Sequence, residues 1–315
     1  MTVVGTTSNL NDGTKAFIWT QENGMKGLNL LSSSFNRNLK ISKNGLKIIG
    51  NKLSSDGEEN NYECFIWDRQ NGVNELSNLT EDKFLCMDIS LDGSVIVGYK
   101  FIADGRREAV IWRNKIGIET LGKPTNNNNF ETNSFESKAM SVSADGTTIA
   151  GFMRDKNSQK AFIWNKENGM QDIGDLGGGD DFSLARDISA DGTTVVGKGV
   201  NINNHGEAFV WDRENGMRRI GDLKGGSFNS YAEGVSKDGS IVVGRGSSGT
   251  GRAFIWNQES GIQDLKSVLI EDYHLDLKDW ILISAHSISD DGKTIVGWGY
   301  NPSNDFEAWI AKLND

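Results

Sequence analysis

A sequence repeat that recurs along nearly the whole chain constrains the fold more than any other feature. Its clearest copy runs from Ser183 to Leu223 and contains four short apolar segments with Asp-Gly and Asn-Gly turns among them. Short runs of Val, Ile, Phe and Trp near such turns predict strands that are joined by hairpins. The unit is therefore predicted to be a four-stranded antiparallel sheet, whose strands we label a to d in chain order.

Strand b of this unit occurs seven times and sets the period of the repeat. The glycines that end its copies are 45 to 53 residues apart: Gly5, Gly50, Gly98, Gly151, Gly197, Gly244 and Gly297. One four-stranded unit cannot bury both of its faces, so neighbouring units must stack. Stacked units of this kind are typical of β-propeller blades. We therefore expect an all-β fold, a β-propeller with four-stranded antiparallel blades, in which residues 1–315 form a single domain.

The strand count favours seven blades. The chain starts on a b strand at Thr2 and stops after a c strand that ends at Ala311, which gives 26 strands. That number is two short of seven complete blades, so the first and last blades are each expected to lack one strand. Six blades, with the leftover strands sharing a closing blade, are the alternative. A start directly on strand b also suggests that the N-terminus is processed or shortened.

The connections at the two ends of each predicted blade differ in character. The a–b and c–d turns are short and nearly identical, whereas the b–c and d–a connections vary in length and sequence. In an antiparallel meander the two variable sets lie at the same end of the blade. Variable loops on a rigid scaffold usually carry binding residues. One of these connections, Lys266 to Ile283, is predicted to contain a short helix followed by an extended segment with Trp280, and another contains the polar tract Asn126 to Asn129.

Six residues near these variable connections are the predicted binding residues: Asp181, Phe182, Phe228, Tyr231, Trp298 and Tyr300. Phe182 and Phe228 belong to a Phe that recurs before strand a, so packing between blades is the alternative for both. Trp298 and Tyr300 follow the last strand b motif, where other blades have Lys198 or Arg245. Packing against Trp280 is the alternative for this pair. The expected partner is a protein or a glycan.

Other recurring motifs favour structural roles. The Trp residues that end strand c are expected to pack between blades rather than to form a ring for sugar stacking. The Asp-Gly turns fit hairpins better than calcium loops, because calcium takes about 6–8 oxygen ligands. The motif of Gly244, Gly246 and Gly249 leads into strand c and not into a helix, so it does not predict a dinucleotide site. The three histidines lack metal-ligand spacing. No catalytic residue, cofactor or metal is predicted.

The two cysteines, Cys64 and Cys86, replace small residues of the repeat. Cys64 takes the strand c position that Ala161 holds in a later blade, and Cys86 takes the strand a position of Ala185. The repeat favours two buried free thiols in neighbouring blades. A disulfide or a reactive thiol is the alternative.

Composition narrows the classes of partner. The net charge of −10 argues against nucleic acid, which needs a basic surface to neutralise its phosphates. No run of about 18 apolar residues is present, so no membrane insertion is expected. No leader with a charged and then an apolar part precedes the first repeat, so no signal peptide is expected in this chain. We expect a monomer.

The motifs "AFIW…NGM…DLG" and "A…ISADGTTVVG" resemble those of the HAF-repeat family of bacterial extracellular repeat proteins. The resemblance covers essentially the whole chain and extends to the last repeat, "WILISAHSISDDGKTIVGWGYNPSNDFEAWIAKL". WD-repeat and TolB-type propellers share the order of strand, Asp-Gly turn, strand and Trp more distantly. The HAF-repeat resemblance implies secretion or exposure at the cell surface. It supplies no reaction and no catalytic residues.

The leading functional hypothesis is a non-enzymatic interaction module that binds a protein or a glycan through its variable loops. The alternative is a carbohydrate-active propeller enzyme that uses carboxylates near the mouth of the central channel. Paired carboxylates about 5–10 Å apart would be its signature. The candidate carboxylates are Asp180, Asp181 and Glu233.

Overall fold

The computed structural model describes residues 2–9, 13–28, 35–53, 62–76, 84–125, 130, 133–247 and 251–313. The chain divides into two compact units, Met1–Lys123 with Glu136–Ile149, and Pro124–Phe135 with Ala150–Asp315. The polar tract at 126–129 lies outside the described residues.

The first unit is built from strands alone within its described residues. They are β1 (Thr2–Asn9), β2 (Gly13–Thr20), β3 (Gly24–Gly27), β4 (Phe35–Ile41), β5 (Lys47–Leu53), β6 (Tyr62–Asp68), β7 (Gly72–Glu75), β8 (Leu85–Ile89), β9 (Val95–Phe101), β10 (Arg107–Arg113), β11 (Gly117–Thr120) and β12 (Glu136–Val142).

The second unit contains the remaining strands and a short helix. They are β13 (Ile149–Arg154), β14 (Gln159–Asn165), β15 (Gly169–Asp172), β16 (Ser183–Ile188), β17 (Thr194–Val200), β18 (Gly206–Asp212), β19 (Gly216–Gly221), β20 (Tyr231–Val235), β21 (Ile241–Gly246), β22 (Arg252–Asn257), β23 (Gly261–Asp264), α1 (Leu265–Glu271), β24 (Ile281–Ile288), β25 (Thr294–Tyr300) and β26 (Phe306–Lys312).

Seven sheets hold these strands in chain order. Five sheets have four strands, whereas the first, β1-β2-β3, and the last, β24-β25-β26, have three within the described residues. The register is antiparallel throughout the fifth sheet, from Ala185 opposite Gly197 to Asp212 opposite Gly216. The protein is a seven-bladed β-propeller with incomplete first and last blades, as the repeat predicted. The six-blade alternative is wrong.

The a–b turns are held by a Ser-x-Asp-Gly hydrogen-bond pattern, in which Asn44 replaces Asp in the second blade. The Ser189 hydroxyl donates to Asp191 Oδ1 over 2.6 Å and accepts the Thr194 N–H over 2.9 Å. Asp191 Oδ1 also accepts the Thr193 N–H over 3.0 Å. Gly192 has a φ of 75°, which suits glycine best. These bonds use the carboxylate within the turn itself, which accounts for the recurrence of the motif.

A second feature explains the glycine that recurs within strand b, which continues past it in the structure. The register shifts between Ala185 and Asp187, so strand a bulges beside Gly197. A Cβ atom at Gly197 would fall on the carbonyl oxygen of Leu184. Strand a can approach strand b so closely only because this residue has no side chain.

Trp211 and Trp256, which lie near the end of strand c in their blades, pack between blades, as predicted. Trp211 is buried in a core with Ala161 and Ile163 of the preceding blade. Trp256 is buried in the next core with Val196 and Val210. The described cores therefore lie between neighbouring sheets, which is what stacking of the repeats requires.

The interpretation of the cysteines as free thiols is wrong. Cys64 of β6 and Cys86 of β8 form a disulfide, with Cα atoms 5.4 Å apart. The repeat explains the pairing, because the equivalent residues Ala161 and Ala185 lie in one core between neighbouring blades. Cysteines at both positions therefore face each other. Both are fully buried, so the disulfide ties the second blade to the third from inside.

The predicted helix in the last long connection is confirmed as α1. Asp264 caps it by accepting the Ser267 N–H over 2.9 Å. Leu265 and Leu269 are buried, and Trp280 packs against the same core from the segment that follows. Among the described residues, no helix has both the length and the apolar character needed to cross a bilayer.

Candidate binding site

A cluster of charged and aromatic side chains lies where the fifth and sixth blades carry their variable loops. We call Lys198, His205, Phe228, Tyr231 and Arg245 the loop-face cluster. Lys198 lies on β17, and Tyr231 begins β20, where its Cα pairs with that of Arg245 on β21. His205 comes from the b–c connection of the fifth blade, and Phe228 comes from the d–a connection that follows that blade. The cluster lies entirely within the second unit.

Tyr231 is held between two cations. Lys198 Nζ donates a hydrogen bond to the Tyr231 hydroxyl over 2.7 Å and lies 3.9 Å from the centroid of its ring. The Arg245 Cζ atom lies 5.0 Å from the same centroid. All three residues are half-buried. Cation–π attraction therefore orients both cations around one partly exposed phenol.

The cations also change the acidity of that phenol. Burial acts to raise the pKa of Tyr231, but its hydrogen bonds with Lys198 and Asn229 and the charges of Lys198 and Arg245 outweigh burial. The pKa of Tyr231 is therefore lowered from its ordinary value of 10.0. The cluster favours negative charge at this position.

A pair of aromatic rings and a hydrogen-bonded d–a loop extend the cluster. The rings of His205 and Phe228 are stacked, with centroids 6.2 Å apart and planes 21° apart. Asp222 accepts the Asn229 N–H over 2.6 Å and the Ser247 N–H over 2.8 Å. One carboxylate thereby holds the d–a loop that carries Phe228 to the b–c connection that follows Arg245.

The two cations of the cluster have no acidic partner in the part of the chain that the structure describes. Within the described residues, neither Lys198 Nζ nor the Arg245 guanidinium has a carboxylate oxygen within 4.0 Å. Other cations of this unit do have one: Lys160 pairs with Asp181 over 2.7 Å, and Arg252 pairs with Asp264 over 3.5 Å.

Asp181 and Phe182 form a second group beside the preceding d–a connection. The Asp181 side chain is 62% exposed but is engaged by Lys160, which also pairs with Asp175. The half-buried Phe182 accepts the Val200 N–H at its carbonyl oxygen over 3.1 Å. This group is therefore partly structural, since it fixes the d–a loop to the neighbouring strands.

Trp298 and Tyr300 form a third group on the last blade. The Trp298 ring lies 5.1 Å from that of Phe306, and the Tyr300 ring lies 5.9 Å from it, edge to face. Phe306 is 65% exposed. The predicted binding residues thus fall into three groups within one unit, and Phe228 and Tyr231 share the loop-face cluster.

Sequence reasoning missed Lys198, His205 and Arg245 as members of the cluster. Lys198 and Arg245 each follow the strand b glycine of their blade. The repeat pattern alone gives no reason to single them out as binding residues. The sequence feature that could have identified them is the presence of two cations at equivalent positions of neighbouring blades. Within the described residues, no group of three or more His, Cys, Asp and Glu side chains is arranged to hold a metal ion.

Comparisons with known proteins support the fold. No protein-family model and no curated protein sequence matches the chain. The structure is similar to TolB from Acinetobacter baumannii, with 14% identity and a TM-score of 0.53 over 83% of this chain. A protein from Agrobacterium tumefaciens described as TolB is similar over 100% of this chain and 99% of its own, with 12% identity and a TM-score of 0.55.

A third similar structure is the β-propeller domain of the Trilobed protease from Pyrococcus furiosus, which has an open velcro topology. It shares 13% identity at a TM-score of 0.60, over 100% of this chain and 94% of that domain. This chain spans 62% of the Acinetobacter TolB. At these identities the likeness shows the fold alone: the chain is a β-propeller with TolB and other propellers as structural relatives.

Proposed function

We propose that this protein is a non-enzymatic interaction module, a secreted or surface-exposed β-propeller that binds a polypeptide partner through its variable b–c and d–a loops. The loop-face cluster carries the proposal. It presents a partly exposed Tyr between two cations, beside a stacked His and Phe, on strands of a rigid scaffold. Tyr, Phe and Arg are enriched in protein interfaces. A glycan is the alternative partner, since the same aromatic rings offer stacking surfaces.

The disulfide supports the proposed location. Disulfides persist in secreted, periplasmic and surface proteins and are rare in the reducing cytosol. The bond between Cys64 and Cys86 is buried between two blades, so it serves stability. The resemblance to extracellular repeat proteins points the same way. Protein that is denatured in a thiol-blocking reagent as it is taken from its native cells should show no blocked cysteine, and two blocked cysteines would contradict export.

Site-specific photocrosslinking in the native cells tests the binding face. A benzophenone amino acid replaces Phe228 in one variant and Glu214, which is exposed in the c–d turn between β18 and β19, in a matched control. We expect an adduct from position 228 and none from position 214. Mass spectrometry of the adduct distinguishes a polypeptide from a glycan. Equal adducts from both positions, or an adduct from position 214 alone, would show that the variable loops are not the binding face.

A further inference from the structure

Two neighbouring blades carry cations at the same repeat position, and no carboxylate among the described residues pairs with either of them. Lys198 and Arg245 each follow the strand b glycine of their blade. The equivalent residues of other blades are Thr6, Asn51, Tyr99, Phe152 and Trp298. The fold therefore does not require a cation here, and structure alone does not explain the pair.

The hydrogen-bonding capacity of the pair is largely unused. An ammonium group has three N–H donors and a guanidinium has five. Within the described residues, Lys198 Nζ donates to the Tyr231 hydroxyl, and the Arg245 guanidinium donates to no protein acceptor. Both side chains are nevertheless held in place by the Tyr231 ring. Held cations with free donors form a site prepared for an anion.

We infer that Lys198 and Arg245 together bind a carboxylate of the polypeptide partner, so that the partner presents an acidic segment to the loop-face cluster. This inference rests on the proposed function and names the chemistry of its partner. A planar guanidinium matches a carboxylate through two parallel hydrogen bonds, and the ammonium is a second donor beside it. The lowered pKa of Tyr231 agrees with a local field that favours anions.

The surroundings of the cation pair favour an acidic peptide over a free anion. The stacked rings of His205 and Phe228 come from the adjoining b–c and d–a connections and offer apolar surface. Acidic residues flanked by apolar side chains would use both the cations and these rings. The net charge of the chain is −10, so the protein as a whole repels an acidic segment. A preference for an acidic segment must therefore come from a local site on the protein.

Peptide binding to the purified full chain tests the inference. The probe is an array of octapeptides that contain one to four Asp or Glu residues among apolar residues, each with a matched Asn or Gln counterpart. The test variant is Lys198→Gln with Arg245→Gln. The control variant is Lys166→Gln with Arg213→Gln, which removes two exposed cations from c–d turns and so changes the net charge equally. Thermal melting shows that both variants are folded.

We expect the wild-type chain to prefer acidic peptides over their amide counterparts by about tenfold or more, since breaking a desolvated charge pair costs at least that much. The test variant should lose this preference, and the control variant should keep it. Absence of a preference in the wild-type chain, or equal loss in both variants, would overturn the inference.

Competition separates the sources of negative charge. If inorganic phosphate or polygalacturonate binds the wild-type chain through Lys198 and Arg245 and acidic peptides do not, the inference of a peptide carboxylate is wrong. Photocrosslinking at position 228 tests the proposed function separately. An adduct at position 228 without any preference for acidic peptides would keep the binding face and reject the carboxylate.

Discussion

At the scale of single residues, two tyrosines differ in whether neighbouring cations and hydrogen bonds outweigh the effect of burial on their acidity. Tyr231 has Lys198 at its hydroxyl, and its pKa is lowered. Tyr99 of the first unit has Lys138 Nζ 4.4 Å from its ring centroid. Burial raises the pKa of Tyr99, and the charge of Arg107 only partly opposes this.

We expect these two tyrosines to titrate in opposite directions from the ordinary value of 10.0. NMR of the tyrosine Cζ resonances, assigned with Tyr231→Phe and Tyr99→Phe, measures both. The folded state loses the Tyr231 proton before the unfolded state does. The contribution of Tyr231 to the free energy of unfolding therefore grows as pH rises from its lowered pKa towards the ordinary value.

Lys198→Gln supplies the control for this titration. It removes the hydrogen bond and the nearer charge, so the pKa of Tyr231 should rise while that of Tyr99 stays unchanged. A Tyr231 pKa at or above the ordinary tyrosine value in the wild-type chain would contradict the geometry of the loop-face cluster.

The disulfide gives a second prediction at this scale. Cys64→Ala with Cys86→Ala restores the Ala pair that other blades use, so the packing is kept and only the cross-link is lost. The double substitution removes the covalent link between two positions that are 22 residues apart in the sequence. We expect the free energy of unfolding to fall by about 3 kcal/mol, as loop-closure entropy predicts. Urea denaturation measures it, and a stability unchanged from the oxidised wild type would contradict the bond.

Single residues were harder to predict from the sequence than the repeat was. The alignment of Cys64 with Ala161 and of Cys86 with Ala185 was available, but the contact between those two positions was not. It depends on how neighbouring sheets pack. The same packing places Lys198 of one blade on Tyr231 of the next, which no pattern within one repeat reveals.

At the scale of strands and turns, the sequence predicted much more. The hairpins, the incomplete first and last blades and the short helix after β23 all follow from local patterns. The bulge in strand a does not, because it appears only when the register of two strands is known. The bulge distinguishes two kinds of glycine. One kind adopts a positive φ, and the other lies where the neighbouring strand leaves no space for a side chain.

A pair of substitutions distinguishes these two kinds of glycine. Gly216 has a φ of 68° and no heavy atom within 4 Å of an added Cβ, so Gly216→Ala should cost about 1 kcal/mol from backbone strain. Gly197 is not among the positive-φ residues, but its added Cβ would meet the backbone of Leu184. Gly197→Ala should cost more than about 3 kcal/mol. Chemical denaturation measures both, and an equal cost would contradict the bulge.

At the scale of the whole molecule, the repeat makes the scaffold uniform, and the proposed binding site lies at a few positions that depart from it. The turns at one end repeat the same hydrogen bonds from blade to blade. The connections at the other end carry the loop-face cluster, the Asp181 group and the ends of β25 and β26 with Trp298. The fold was therefore predictable from the sequence repeat, whereas the candidate site lies at positions where the repeats differ from one another.

The most direct test of this account is the dissociation constant of the purified partner identified by crosslinking. It is measured for the wild-type chain, for Phe228→Ala with Tyr231→Ala, and for Lys166→Gln with Arg213→Gln in the uniform turns. We expect the loop-face variant to bind at least about tenfold more weakly while it stays folded, because aromatic anchors carry most of the binding energy in protein interfaces. The turn variant should bind as the wild type does. Normal binding by the loop-face variant and loss of binding by the folded turn variant would place the interface on the opposite end of the blades.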